Sequence, residues 1–195
     1  AYVDFPGAIH TRFSHALGAM QLTKKMATML ADELDKAGQP NKAGNIRANL
    51  NNLMASGFLH DIGHGPFSHA VDFPASKLLG RRHEQIGREI ILEEFQELEH
   101  HGVTLSSVTE IIEGKHVYRF LREVIDGPMD VDKLDYLLRD SHHVGLRYHF
   151  DLDQFMRNYV VLGPDDDLPR CVLGLRNSLE ARTTAEIFIL IWKGM

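Results

Sequence analysis

The stretch FLHDIGHGPFSHAVD (residues 58–72) concentrates titratable side chains directly after an apolar run. His60 and Asp61 are adjacent within it, at the predicted C-terminal end of a helix. Both side chains can converge there on a cation that approaches along the helix axis, and the negative end of the helix dipole favours such a charge. Imidazole with carboxylate suits Zn, Fe, Mn, Ni or Co better than Mg alone. The pair therefore predicts part of a metal site.

The remaining ligands must come from other segments. His15, near the start of the first long predicted helix, is one candidate. Asp132 is another, because Asp132, Tyr136 and Asp140 recur every four residues and fall on one stripe of a predicted helix. Lys133 adjoins Asp132 and could neutralise an anionic ligand. Taken alone, the stripe fits a solvated helical face as well as a binding surface.

Composition narrows the class of protein. The chain has 195 residues, of which 44% are hydrophobic, and this suits a single domain with a substantial core. A net charge of −6 argues against nucleic-acid binding but leaves room for a nucleotide pocket. The single cysteine, Cys171, excludes an internal disulfide framework and predicts a cytoplasmic location, and no apolar run is long enough to enter a membrane.

The periodicity of apolar residues predicts a mainly α fold with one small β-hairpin near residues 158–174. Ser14 is the predicted N-cap of the first helix, and residues 37–44 are the predicted break after it. Helices are predicted over residues 15–36, 45–60, 83–101, 105–113 and 117–125, from Asp130 to Gly145, as a short turn over residues 152–158, and from Leu175 onward.

Four motifs in this order resemble the HD-domain superfamily. They are RFSH (12–15), HDIGHGPFSH (60–69), HEQ (83–85) and DVDKLDYLLRDSHHVG (130–145). More narrowly, they resemble its branch of deoxynucleoside triphosphate triphosphohydrolases, the dGTPase-like enzymes, and related bacterial phosphohydrolases. The resemblance covers about residues 5 to 182 and implies an HD-domain helical bundle. Because the chain ends inside an apolar run, FILIWKGM, we expect residues 1–195 to be one HD domain cut from a longer chain.

The resemblance also implies roles for individual residues. It assigns one divalent transition metal (Fe, Mn, Zn, Ni or Co) to His15, His60, Asp61 and Asp132, with Mg on the substrate phosphates as a further option. It assigns catalytic roles to His64, His69, Asp72, His83 and Glu84. It assigns contacts with triphosphate or sugar to Arg12, Lys133, Tyr136, Asp140 and Arg176. The four metal ligands coincide with the set reached above from the residues themselves.

The implied reaction is hydrolysis of a deoxynucleoside triphosphate to deoxynucleoside and intact triphosphate, by an enzyme that forms homo-oligomers. Glu180 and Thr184 depart from the branch, which has a histidine and a tyrosine near sugar and base at these places. This departure weakens the specificity for deoxynucleotides more than it weakens metal-dependent phosphohydrolysis. Two alternatives stay open: hydrolysis of another nucleotide or phosphate ester, such as a nucleoside monophosphate, and a non-catalytic domain that senses metal or nucleotide.

Overall fold

The computed structural model describes residues 6–65, 77, 80–145 and 151–194. Over these ranges the chain is helical apart from one antiparallel hairpin, in which Tyr159 pairs with Leu175 and Leu162 with Val172. The predicted mainly α fold and its hairpin are therefore confirmed. The elements are α1 (Arg12–Lys36), α2 (Pro40–Ala48), α3 (Leu50–Leu59), α4 (His83–Glu94), a 3-10 helix (Gln96–His101), α5 (Leu105–Ile112), α6 (Arg119–Ile125), α7 (Val131–Val144), α8 (Leu152–Arg157), β1 (Tyr159–Leu162), a 3-10 turn (Leu168–Arg170), β2 (Val172–Leu175) and α9 (Leu179–Gly194).

Helix α1 begins three residues earlier than predicted. Thr11, and not Ser14, is the N-cap: the Thr11 hydroxyl accepts from the Ser14 amide, and the Ser14 hydroxyl accepts from the Thr11 amide, both at 3.1 Å. This reciprocal pair is a capping box, which satisfies two amides that the first helical turn leaves without partners. As a result, Arg12 and His15 both belong to the first turn and point to the same side.

The break predicted over residues 37–44 is shorter than expected: α1 ends at Lys36 as predicted, but only residues 37–39 separate it from α2. Pro40 is instead the first residue of α2, where its missing amide costs nothing. The backbone amides of Asn41 and Lys42 donate to the carboxylate of Asp165, at 3.2 and 3.0 Å, so this distant aspartate caps the helix. The single helix predicted over residues 45–60 is in fact two, because Asn49, with φ −100° and ψ 9°, departs from helical geometry between α2 and α3.

Two further boundaries differ from prediction. The helix expected over residues 83–101 ends at Glu94 and continues as a 3-10 helix, which Gly102 closes with a positive φ of 74°. The last helix does not start near Leu175, because Leu175 pairs with Tyr159 as the end of β2, and α9 begins at Leu179. The predicted end of α7 at Gly145 is confirmed, with Gly145 in the left-handed region.

Helix α1 is central and packs against α2, α3 and α7. Its buried side includes Met26, Leu30 and Leu34, which belong to one large core cluster with the hairpin and α6. Lys42, only 1% exposed, joins α2 to the hairpin by donating to the carbonyls of Val161 and Gly163. No helix in the described part of the chain has both the length and the apolar character needed to cross a membrane.

Candidate metal centre

Three elements meet at one group of ligand-type side chains. His15 comes from the first turn of α1, His60 caps the C-terminal end of α3, and Asp61 follows it. One donor atom from each of these residues lies within 4.8 Å of the others. Asp132, in the first turn of α7, completes the group: its Oδ1 lies 3.1 Å from His15 Nε2 and 3.4 Å from His60 Nε2. The structure thus brings together all four predicted ligands.

The distances between donor atoms fit a shared ion. Bonds of about 2.1 Å to one metal would separate neighbouring ligand atoms by roughly 3.0 to 3.4 Å, depending on the angle between them. The measured separations are 3.1 and 3.4 Å to Asp132, and 3.5 Å between His60 Nε2 and Asp61 Oδ1. His60 Nε2 is buried and has no hydrogen-bond partner among the described residues. Two imidazoles and two carboxylates form a donor set that suits a divalent transition metal.

The other ring nitrogen of each histidine is already held. His60 Nδ1 lies 3.0 Å from the Gly57 carbonyl, and His15 Nδ1 lies 2.8 Å from Asp135 Oδ2. A carbonyl can only accept, so His60 carries its proton on Nδ1, and the carboxylate favours the same tautomer for His15. Each Nε2 is then in position to bind a metal. In metal-binding histidines the other ring nitrogen usually donates a hydrogen bond in this way.

Electrostatics place a positive charge at this point even without a metal. Burial opposes protonation of His15, but the hydrogen bonds to Asp132 and Asp135 outweigh it and raise the pKa of His15 to about 9. Burial alone would raise the pKa of Asp132, but the adjacent His15 and His60 rings, whose Nε2 atoms lie 3.1 and 3.4 Å from its Oδ1, hold that pKa well below the usual range. In the metal-free protein a proton therefore occupies part of the position that the donor atoms surround.

A second histidine pair lies beside the ligands. The rings of His64 and His83 stack with centroids 3.8 Å apart, and His64 Nε2 lies 3.6 Å from Asp61 Oδ1. The stack depends on Gly63, because a Cβ at this position would overlap the carbonyl oxygen of His83 at the start of α4. His83 Nε2 is 3.5 Å from Glu84 Oε1. Three of the predicted catalytic residues therefore adjoin the metal ligands.

All these groups line one cavity of about 700 Å³. The predicted substrate-binding residues Arg12, Lys133, Tyr136 and Asp140 line it too. Lys133 Nζ is oriented by the Asp130 carboxylate and by the Gly127 carbonyl, which it contacts at 3.0 Å. The cavity thus combines the four predicted metal ligands, three cationic side chains (Arg12, Lys133 and Arg139) and a phenol, which is a suitable lining for a phosphorylated ligand.

Comparison with known proteins agrees with this geometry. The sequence profile of the HD domain family matches residues 12–140, which span every described ligand of the metal group. The chain belongs to the HD domain family. Among solved structures, this HD domain is similar to a phosphohydrolase from Bacteroides thetaiotaomicron, with a TM-score of 0.74 and 27% identity, over 100% of this chain and 44% of that one.

Curated relatives of this HD domain include two uncharacterized proteins and one enzyme. An uncharacterized protein of Methanocaldococcus jannaschii is 34% identical over 80% of this chain and 29% of its own length. Protein YwfO of Bacillus subtilis, also uncharacterized, is 33% identical over 85% of this chain and 36% of its own length. The human deoxynucleoside triphosphate triphosphohydrolase SAMHD1 is 29% identical over 87% of this chain and 32% of its own length. The chain therefore spans about a third of the length of these relatives.

One predicted substrate-binding residue of the HD domain lies away from the cavity, and two predicted catalytic residues fall outside the part of the chain that the structure describes. His69 and Asp72 lie outside the described residues. Arg176 does not line the cavity: its guanidinium contacts Glu33 at 2.8 Å, and its amide donates to the Asn158 carbonyl. The reason is the strand β2, which ends at Leu175 and leaves Arg176 beside the hairpin. No substrate contact of Arg176 follows from this position.

The structure adds residues that the sequence reasoning missed. Asp135 holds His15, and Arg139 holds Asp135 through two bonds of 2.8 Å. Their signal was the spacing of one helical turn between Asp132, Asp135 and Arg139, which was not used. His10 and Trp192 also line the cavity. Trp192 and Tyr136 line the same cavity, so α9 and α7 come together there, which no local pattern indicates.

Proposed function

We propose that this HD domain is a metal-dependent phosphohydrolase whose substrates are deoxynucleoside triphosphates. The observation that carries the proposal is the group of His15, His60, Asp61 and Asp132 in the wall of a cavity of about 700 Å³. Cavities of this size accommodate small organic ligands. The similarity to a bacterial phosphohydrolase and to triphosphohydrolases of the SAMHD1 type supports the same class of reaction.

The four ligands would hold one divalent transition ion, and Mn, Fe, Co, Ni and Zn all suit the donor set. A bound divalent ion lowers the pKa of water and polarises a phosphoryl oxygen. The protein supplies the orientation: Gly57 and Asp135 hold the outer nitrogens of His60 and His15, so both rings keep their Nε2 atoms toward the cavity.

Proton transfer falls to the neighbouring histidines. His64 and His83 lie within the same wall, next to Asp61 and Glu84 respectively. A histidine beside an acid keeps its basicity and orientation, so either ring can hold a proton for the leaving oxygen of the nucleoside. The resemblance assigns related roles to His69 and Asp72, and we retain these as part of the proposal.

Binding of the phosphates falls to the cations. Arg12, whose guanidinium lies 3.9 Å from Asp61, and Lys133, which Asp130 orients, are available to offset negative charge on phosphoryl oxygens. Tyr136 and Asp140 line the same cavity and would contact the sugar. Release of intact triphosphate requires attack at the α-phosphorus, so the scissile bond would lie at the metal group.

A second candidate is hydrolysis of another nucleotide or phosphate ester, such as a nucleoside monophosphate. The position of Arg176 favours it, because that side chain pairs with Glu33 and adds no charge to the cavity for a triphosphate. A non-catalytic sensor of metal or nucleotide is the third possibility, and the histidine pair His64 and His83 argues against it. The homo-oligomer and the cytoplasmic location both stay predictions.

Hydrolysis of a panel of nucleotides with Mn²⁺, Co²⁺ or Ni²⁺ tests the proposal. We expect deoxynucleoside and inorganic triphosphate from deoxynucleoside triphosphates, and Asp132→Asn should abolish the reaction. Asp153→Asn is the matched control, because Asp153 is an exposed aspartate that pairs with Lys25 away from the cavity. Release of orthophosphate from monophosphates alone would select the second candidate. Quenching of Trp192, the only tryptophan, without turnover would select the sensor.

A further inference from the structure

We propose that Asp135 and Arg139 form a positioning pair that fixes His15 for metal binding, and that Gly18 provides the space this pair needs. The inference rests on the metal group of the proposed function. It assigns a role to three residues that are not among the predicted ligands, one of which, Arg139, also lines the cavity.

The contact between Asp135 and His15 is short and shielded. Asp135 is 6% exposed, and its Oδ2 lies 2.8 Å from His15 Nδ1. A His15 ring that turned by half a revolution would exchange Nδ1 with Cδ2 and Nε2 with Cε1, and would carry a carbon toward Asp132 instead of a nitrogen. The bond to Asp135 opposes this turn and keeps a proton on Nδ1. Nε2 therefore faces Asp132 Oδ1, 3.1 Å away, and is the nitrogen that a metal would engage once the proton on it is displaced.

Arg139 fixes the carboxylate in turn. Its Nε donates to Asp135 Oδ2 and its Nη2 to Oδ1, each at 2.8 Å, so both oxygens are held in one plane. A bidentate arrangement of this kind gives geometric precision as well as attraction. The guanidinium also balances the charge of a carboxylate that lies near Asp132 in the same helix, which would otherwise repel it.

Gly18 on α1 makes the arrangement possible. It lies one helical turn after His15, and a Cβ added there would overlap both Asp135 Oδ1 and Arg139 Nη2. Alanine forms helices better than glycine, so propensity alone would favour alanine inside a helix of 25 residues. The glycine is therefore explained by the close approach of the charged pair and not by the helix that contains it.

Metal affinity measured without substrate tests the inference. We expect Asp135→Asn to weaken Co²⁺ or Mn²⁺ binding about 10- to 100-fold in chelator competition, which is typical when a partner behind a ligand is lost. The visible spectrum of the Co²⁺ form should change as well, because the ring orientation changes. Gly18→Ala should weaken binding in the same direction, although it alters neither a ligand nor the carboxylate.

Glu123→Gln is the matched control. Glu123 is also mostly buried and also pairs with an arginine four residues away, Arg119 at 2.7 Å, but it contacts the hairpin amide of Leu173 instead of the metal group. We expect it to lower the unfolding temperature while metal affinity and the Co²⁺ spectrum stay native. Thermal unfolding of each metal-free variant shows how much of any change comes from stability.

Native affinity and a native Co²⁺ spectrum in Asp135→Asn and Gly18→Ala would overturn the inference. The inference would also be overturned if Asp135→Asn, Gly18→Ala and Glu123→Gln all lost metal affinity in proportion to their loss of stability. The proposed function fails separately: a native chain that binds the metal but hydrolyses no phosphate ester would refute it while the affinity comparison still decides the role of Asp135.

Discussion

Competition between a proton and the metal at His15 gives the most quantitative prediction. The bonds to Asp132 and Asp135 raise the pKa of His15 to about 9 in the metal-free protein, against an ordinary value of 6.5. A histidine must be neutral to bind a metal, so metal binding has to displace this proton. At pH 7, two units below that pKa, the apparent metal affinity should be about 100-fold weaker than its limiting value, which corresponds to about 2.7 kcal/mol.

Isothermal titration calorimetry with Mn²⁺ measures both consequences. The apparent association constant should rise about tenfold per pH unit between pH 7 and 8, and level off above pH 9. Titrations in two buffers with different ionisation enthalpies should show a proton released at pH 7 and a smaller release above pH 9. Affinity that does not change with pH, with no proton release, would refute the assignment of His15 as a ligand that carries a proton in the metal-free state.

Three further predictions concern stability. The metal-free protein should lose stability on the order of 3 kcal/mol as the pH rises through about 9. The reason is that the pKa of His15 is raised above its unfolded value, so the group stabilises the fold only while its proton is bound. Urea unfolding at several pH values measures this loss, and a free energy of unfolding that does not change with pH would contradict it. Lys42→Ala should lower the free energy of unfolding in urea by about 3 kcal/mol, because the carbonyls of Val161 and Gly163 lose their donor. Lys36→Ala, at an exposed lysine, is the control. Equal urea midpoints for the two variants would contradict the prediction. Asp165→Ala should cost about 1 kcal/mol through the lost cap of α2, and the exposed neighbour Asp166 supplies the control substitution.

Local patterns were sufficient for the centre of the site. His60 and Asp61 stand at a helix end that Gly63 and Gly65 define, and the helix of Asp132 is bounded by a capping aspartate and by Gly145. Where caps and apolar periodicity are strong, the helix and the face it presents follow from the sequence. The four ligands could therefore be selected before their distances were known.

Long-range contacts account for what the sequence could not provide. Asp165 caps α2 from the hairpin loop, 124 residues from Asn41, and the second part of the predicted break, residues 40–44, is helical. Pairing of Leu175 with Tyr159 keeps Arg176 away from the cavity, although the family resemblance implied a contact with triphosphate or sugar. Trp192 reaches the cavity only because α9 packs near α7. Each of these depends on tertiary packing, which overrides local propensity.

The central claim is that His15, His60, Asp61 and Asp132 hold one metal ion. Elemental analysis after loading with Mn²⁺ and desalting tests it most directly, with native protein beside Asp61→Ala and the control Asp153→Ala. We predict about one ion per chain in the native protein and the control, and almost none in Asp61→Ala with its helical circular dichroism unchanged. Equal metal content in native protein and Asp61→Ala would contradict the account.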